Sequence, residues 1–249
     1  MNPRRTGVCV LTLHRIVASP TKDHDVSWPT FTRLIKLLDE VPVPMSSVLD
    51  GPSSARVVLT FDDGTEDHAE VGGLLAERGL SAVFFVPAND LGRPGHLDEA
   101  AVRRLAELGH VIGSHSFEHQ PLAGLSIEAL RSQVKRSREE LRAVAGTPIP
   151  YFAPPGGIGH ELLPAVLAES GFQASRSTRW GFYRRSEDRW QIPCLPVTEL
   201  TLARGWIAGA LAGWELPFAM RGAWRAKQAM PRRAAIAARH LLHAAGRAG

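Results

Sequence analysis

The chain has 249 residues, 44% of them hydrophobic and 22% charged, a composition that suits one large folded domain and excludes a disordered or low-complexity protein. Its net charge of +4 is unevenly spread: Thr201–Gly249 holds eight Lys and Arg against one acid, Glu215, a net +7, while the first 200 residues hold 21 bases and 24 acids. The basic balance therefore belongs to the tail and gives no reason to expect nucleic acid on the main body. No run of about 20 apolar residues is present, so no spanning helix is expected. Met1–Val17 carries Arg4 and Arg5, but its apolar stretch Val8–Leu13 is shorter than a secretory core and reads as a first strand, which makes the expected location cytoplasmic. Cys9 and Cys194 lie in apolar runs without metal-site spacing and read as buried small hydrophobes.

Short Val-, Ile- and Phe-rich runs alternate with helical periodicity, the pattern of βα units around a mostly parallel sheet. In chain order the predicted strands are Val8–Leu13, Val57–Phe61, Ala82–Val86, Val111–Ser114, Tyr151–Ala153, Phe172–Ser175 and Gln191–Leu195. Between them, Phe31, Leu34, Ile35 and Leu38 form one apolar stripe, Leu74 and Leu75 precede Gly79, and Val102, Leu105 and Leu108 precede Gly109. The longest helix is expected over Ile127–Ala145, and each following glycine, Gly146 included, stands where a helix end needs positive φ. Periodicity alone fits a closed barrel or an open doubly wound sheet, although no GxGxxG turn follows the first strand. Either way the functional face is at the strand carboxyl ends.

Those ends carry His14, Asp62 with Asp63, Asn89, His115 with His119, and Pro155–Gly157. In Thr60-Phe61-Asp62-Asp63-Gly64 the strand ends and Gly64 turns the chain, so both carboxylates can enter one cavity with separate tasks. His115-Ser116-Phe117-Glu118-His119 has the spacing that brings two imidazoles to one side of a helical turn. Two histidines and a carboxylate make the open three-ligand set of a catalytic zinc, with a position left for water. Tyr151-Phe152-Ala153-Pro154-Pro155-Gly156-Gly157 ends in a glycine turn whose N–H groups can approach a substrate and hold an oxyanion.

These three motifs, in this order, resemble the polysaccharide deacetylase family, the NodB homology domain, over about residues 7–198. The resemblance implies a distorted (β/α) barrel, a divalent metal, zinc, on Asp63, His115 and His119, and Asp62 as general base. It implies a hydrolase of non-peptide carbon–nitrogen bonds that removes N-acetyl groups from the amino sugars of a polysaccharide, oligosaccharide or lipid-linked glycan. The Gly156 N–H is assigned to the oxyanion.

Two positions depart from the pattern. Ala153 stands where the family commonly has an arginine that orients the aspartate, and Leu195-Pro196-Val197 stands where a Leu-x-His commonly supplies the acid. A metal- or carbohydrate-binding member without turnover, and a deformylase or deacetylase of a lipid-linked sugar, are the alternatives. His14, directly after the first strand, is assigned to donate the missing proton or to orient the donor. The chain divides into a barrel over 1–200 and a helical tail over 201–249. Trp206, Trp214 and Trp224 interleave with the tail's arginines, a composition suited equally to a membrane interface or to packing on the barrel or on a second subunit.

Overall fold

The computed structural model describes residues 7–38, Met45, Leu49 and 57–211. Seven strands close a barrel in the order β1 (Cys9–Leu13), β4 (Val57–Phe61), β5 (Ala82–Val86), β6 (Val111–Ser114), β7 (Tyr151–Phe152), β8 (Ala174–Trp180) and β9 (Ile192–Pro196). Every pairing is parallel, and β9 returns to β1 through Leu11 opposite Leu195 and Thr12 opposite Pro196. Closure leaves these strands no exposed edge. A separate two-stranded pair joins β2 (Ile16–Val17) to β3 (Val26–Ser27).

The alternation of side chains along each strand divides the core into two layers. Cys9, Leu11, Leu13, Val57, Leu59, Phe61, Phe84 and Ile112 face outward, into one cluster with the helices. Val8, Val10, Val58, Val83, Phe85, Tyr151, Ala153, Ala174, Ile192 and Cys194 form the interior. Both cysteines are free and buried, as expected, and burial followed by the proximity of Cys194 pushes the Cys9 thiol up to about 12.

The helices are α1 (Trp28–Leu37), α2 (His68–Ala76), α3 (Glu99–Glu107), α4 (Ile127–Ala145), α5 (Leu163–Glu169), α6 (Glu199–Ala203) and α7 (Trp206–Leu211). Ser27, Asp98 and Ser126 cap α1, α3 and α4 by accepting from Thr30, Ala101 and Ala129 N–H, so these starts follow from local chemistry. The predicted stop of α4 holds, with Gly146 at φ 68°, and Gly79 and Gly109 likewise have positive φ.

Two expectations differ from the structure. The strand expected over Phe172–Ser175 is β8, which begins at Ala174 and runs on to Trp180, through polar residues that apolar periodicity does not register. The boundary expected after residue 200 falls inside α6, where Thr198 forms a capping box with Thr201, and Glu199 accepts from Ser27 N–H and the Thr30 hydroxyl at 2.6 and 2.8 Å. Leu202, Ile207 and Ala210 are buried in the outer core layer, so the tail packs on the barrel at least to Leu211. Trp206 lies against that core, while Trp214 and Trp224 lie outside the described residues. No helix among the described residues is long and apolar enough to cross a membrane.

Gly113 lies on β6, two residues before His115, and a Cβ there would stand 2.5 Å from Phe85 Cδ1. Overpacking of this kind costs about 1–3 kcal/mol. Gly113→Ala is expected to lower the unfolding free energy by that amount, seen as a lower urea midpoint with an unchanged slope; an unaltered midpoint would mean that Phe85 yields freely.

Candidate active site

The carboxyl ends of β1, β4 and β6 bring His14, Asp62, Asp63 and His115 to one mouth of the barrel, and the loop after β6 adds His119. One ligand atom each from Asp63, His115 and His119 lies within 4.8 Å of the other two. Asp63 Oδ1 is 3.4 Å from His115 Nε2 and 3.1 Å from His119 Nε2. His115 Nδ1 donates to the Ala153 carbonyl at 2.7 Å, which leaves Nε2 as the ring's acceptor, turned to the cluster. Burial pushes the Asp63 carboxyl up, but the neighbouring imidazoles of His115 and His119 prevail and hold it well below the usual carboxylate range. Against the same burial, Asp63 raises His119.

The two histidines do not meet on a helical turn as the spacing suggested. Residues 115–119 form an irregular loop in which Ser116 and His119 take φ 70° and 53°. Together with Asp63, at φ 75°, these are the non-glycine residues of positive φ among the described residues, and all three belong to this site. Left-handed backbone costs a non-glycine residue about 1 kcal/mol or more, so the surroundings must hold it. Gln133 of α4 does so: its Oε1 accepts from the Ser116 hydroxyl at 3.1 Å and from Glu118 N–H at 2.9 Å. From the other side, Ala88 and Asn89 N–H groups donate to the Ser116 and Phe117 carbonyls.

Asp62 is 4% exposed and reaches the same mouth from the barrel interior. Its Oδ2 accepts a short hydrogen bond from Arg176 Nη2, and its Oδ1 is buried with no hydrogen-bond partner. Burial raises the Asp62 carboxyl, but the Arg176 guanidinium, then His115 and His14, bring it below the ordinary carboxylate range. His14 Nε2 is 3.9 Å from Asp62 Oδ2, and its ring packs on that of His24, with centroids 4.7 Å apart. Gly156 takes φ 62° in the turn Pro155–Gly157, after β7 at the same end of the barrel.

A model of the family described as polysaccharide deacetylase matches residues 50–175. The chain belongs to the polysaccharide deacetylase family. It is 34% identical over 133 residues to a peptidoglycan-N-acetylglucosamine deacetylase of Bacillus cereus, covering 52% of this chain and 46% of that one. With a chitin deacetylase of Pestalotiopsis sp the identity is 32% over 139 residues, 50% of this chain and 46% of the relative. The chain thus spans about half the length of the curated relatives it matches. Among solved structures, IcaB from Ammonifex degensii superposes with a TM-score of 0.73 at 20% identity, over 83% of this chain and 97% of that one, a likeness of fold.

In this family member the structure brings all of the sequence-predicted site residues to one end of the barrel. Apolar periodicity ends this strand at Ser175, one residue before Arg176, so the sequence alone does not bring Arg176 to the site. His24 was missed because it lies on no strand end; it reaches His14 on the loop between β2 and β3. Within that loop the buried Asp25 receives Arg15 Nε and Nη2 at 2.9 and 2.7 Å, and Thr21 and Lys22 N–H groups at 2.9 Å each. The departure at the end of β9 stands in the structure: Val197 is buried in the outer core and its N–H donates to the Thr12 carbonyl.

Burial raises the Asp25 carboxyl, but Arg15 and the loop amides more than offset this and leave it far below the ordinary range. A depressed folded-state pKa contributes stability that is full above the unfolded value of about 3.9 and is lost as pH falls through the folded one. Asp25→Asn is therefore expected to lose about 1–3 kcal/mol at pH 7, with the gap from the unaltered chain closing below about pH 4 in urea titrations. A gap independent of pH would refute the charged role of Asp25.

Proposed function

We propose that this chain hydrolyses the N-acetyl amide of amino sugars in a polysaccharide or oligosaccharide, with a divalent metal ion, zinc, held by Asp63, His115 and His119. The donor set fits such an ion: one carboxylate and two imidazoles, with the ring of His115 already oriented by Ala153. A metal bound there supplies Lewis acidity, polarising the amide carbonyl and lowering the pKa of water.

The observation that carries the reading is the division of labour within Asp62. One oxygen is occupied by Arg176, and the other is buried, unpartnered and on the residue adjacent to Asp63. A carboxylate held ionised with one free oxygen is suited to take a proton from the attacking water, and Asp62 is assigned as that base. The Gly156 N–H is assigned to the developing oxyanion. His14 is assigned to protonate the departing sugar amine. The pairing of β1 with β9 supports this, because continuing the rungs Leu11–Leu195 and Thr12–Pro196 sets Val197 level with Leu13, one rung from His14. A histidine missing from the end of β9 thus has a neighbour on the next strand.

Acetate release from N-acetylglucosamine oligomers tests the whole reading, and chelation is expected to abolish it with recovery on adding zinc. Asp63→Ala is expected to lose metal and activity together, whereas Asp62→Asn keeps the metal and loses about 10²–10⁴ in kcat. Full turnover by metal-stripped protein would sink the proposal. His14→Ala is expected to retain metal and lose the limb of the kcat–pH profile that reports the acid; an unchanged profile removes His14 from the mechanism. No acetate from any glycan tried would favour the reading of a binding protein without turnover, for which the buried Val197 speaks.

A further inference from the structure

Arg176 is among the largest side chains completely enclosed in the protein, at 2% exposure, and it lies inside the barrel rather than at its rim. A guanidinium is rarely taken out of water without a matched anion, since desolvation of an unpaired charge costs several kcal/mol. The anion here is Asp62, itself buried. The remaining contacts are longer and reach Nη1, while Nε is buried without a hydrogen-bond partner. Nη1 donates to the Ser177 carbonyl at 3.4 Å and approaches Cys194 Sγ at 3.7 Å, and the Phe85 ring centroid is 5.4 Å from Cζ. Arg176 therefore has a defined orientation, and it passes that orientation to one oxygen of Asp62.

The neighbouring strand explains why there is room for it. Phe152 of β7 pairs with Ser175 of β8, so the next rung sets Ala153 beside Arg176. Ala153 is wholly buried and belongs to the interior cluster with Phe85, Ala174 and Cys194. At that rung one strand contributes a methyl group and the other a long cation. Close packing of the lumen admits one large side chain there, not two.

We propose that Arg176 is the positioning residue of Asp62, and that it fills from β8 the interior space that an arginine at position 153 would fill from β7. The inference rests on the reading of Asp62 as the base, and it makes the two positions exchangeable: either can carry the arginine.

The test uses the full chain with bound zinc and compares Arg176→Met, Asp62→Asn, their combination, and Ala153→Arg combined with Arg176→Ala. Arg176→Met is expected to lose about 10²-fold in kcat on N-acetylglucosamine oligomers, with KM and zinc content nearly unchanged, because misorientation of a catalytic group has that cost. The exchanged variant is expected to regain at least about tenfold over Arg176→Ala alone, a recovery that a purely structural role would not require. In thermal melts each single change in the pair lowers Tm, and the combination is expected to lower it by less than the sum. Should Arg176→Met not fold, Arg176→Lys takes its place, with lower kcat at constant KM expected. Undiminished kcat in Arg176→Met or Arg176→Lys, or an exchanged variant that folds and binds zinc yet is no better than Arg176→Ala, overturns the proposal. If the unaltered chain releases no acetate, the functional reading fails, and additive Tm losses would then overturn the pairing itself.

Discussion

The buried ion pair between Asp62 and Arg176 is the constraint on which the rest of the mouth depends. Asp62 directly follows β4 and Arg176 stands in the third position of β8, so the contact crosses the barrel interior between strands that are not neighbours in the sheet. Two charges withdrawn from water are tolerable only if they remain together, and breaking such a pair costs roughly 3–5 kcal/mol. The same contact leaves the second Asp62 oxygen without a partner beside the Asp63, His115 and His119 cluster. A stability requirement and the proposed chemistry therefore act on one carboxylate.

Around this pair, the scaffold divides its tasks by layer. Outward-facing Leu, Val and Phe side chains bind the strands to the helices, while the lumen is filled by Val and Phe below and by polar groups above. Thr12 and Thr60 mark the change, with hydroxyls 3.0 Å apart inside the barrel and Thr60 also donating to the Leu11 carbonyl. Above them come Asp62 and Arg176. Strain is confined to the same end, since Asp63, Ser116 and His119 hold left-handed backbone that Gln133 and the residues 88–89 keep in place. Strained backbone is sustained where the surroundings over-determine it, and here the result is convergence of three ligand atoms.

The two departures from the family pattern have different standing. The arginine absent at position 153 has a counterpart one strand away, on the same rung. The histidine absent after Leu195 has none at that position, and Val197 is committed to the core. What lies near is His14 with His24, on a loop anchored through the buried Asp25. A barrel permits such exchange because residues on one rung of neighbouring parallel strands face the same side of the sheet, so a functional group can be supplied from either.

Much of the candidate site was legible in the sequence because strand ends are marked by abrupt changes from apolar to polar residues. Asp62, Asp63, His14, His115 and the Pro155–Gly157 turn all follow such changes directly, and the caps and closing glycines of α3 and α4 are local chemistry. Tertiary structure alone decided the rest. The choice between closed barrel and open sheet rests on the pairing of β9 with β1, a contact between strands about 180 residues apart that no local period encodes. The loop that joins His115 to His119 looked helical from spacing, but its conformation is set by Gln133, a residue of another element. Arg176 is not legible because apolar residues alone mark a strand in the sequence, whereas β8 continues through Arg176, Ser177 and Thr178, whose place in a strand follows from pairing with β9. An isolated arginine in a sequence reads as surface; only a carboxylate brought to it across the lumen, 114 residues away in the chain, makes its burial possible.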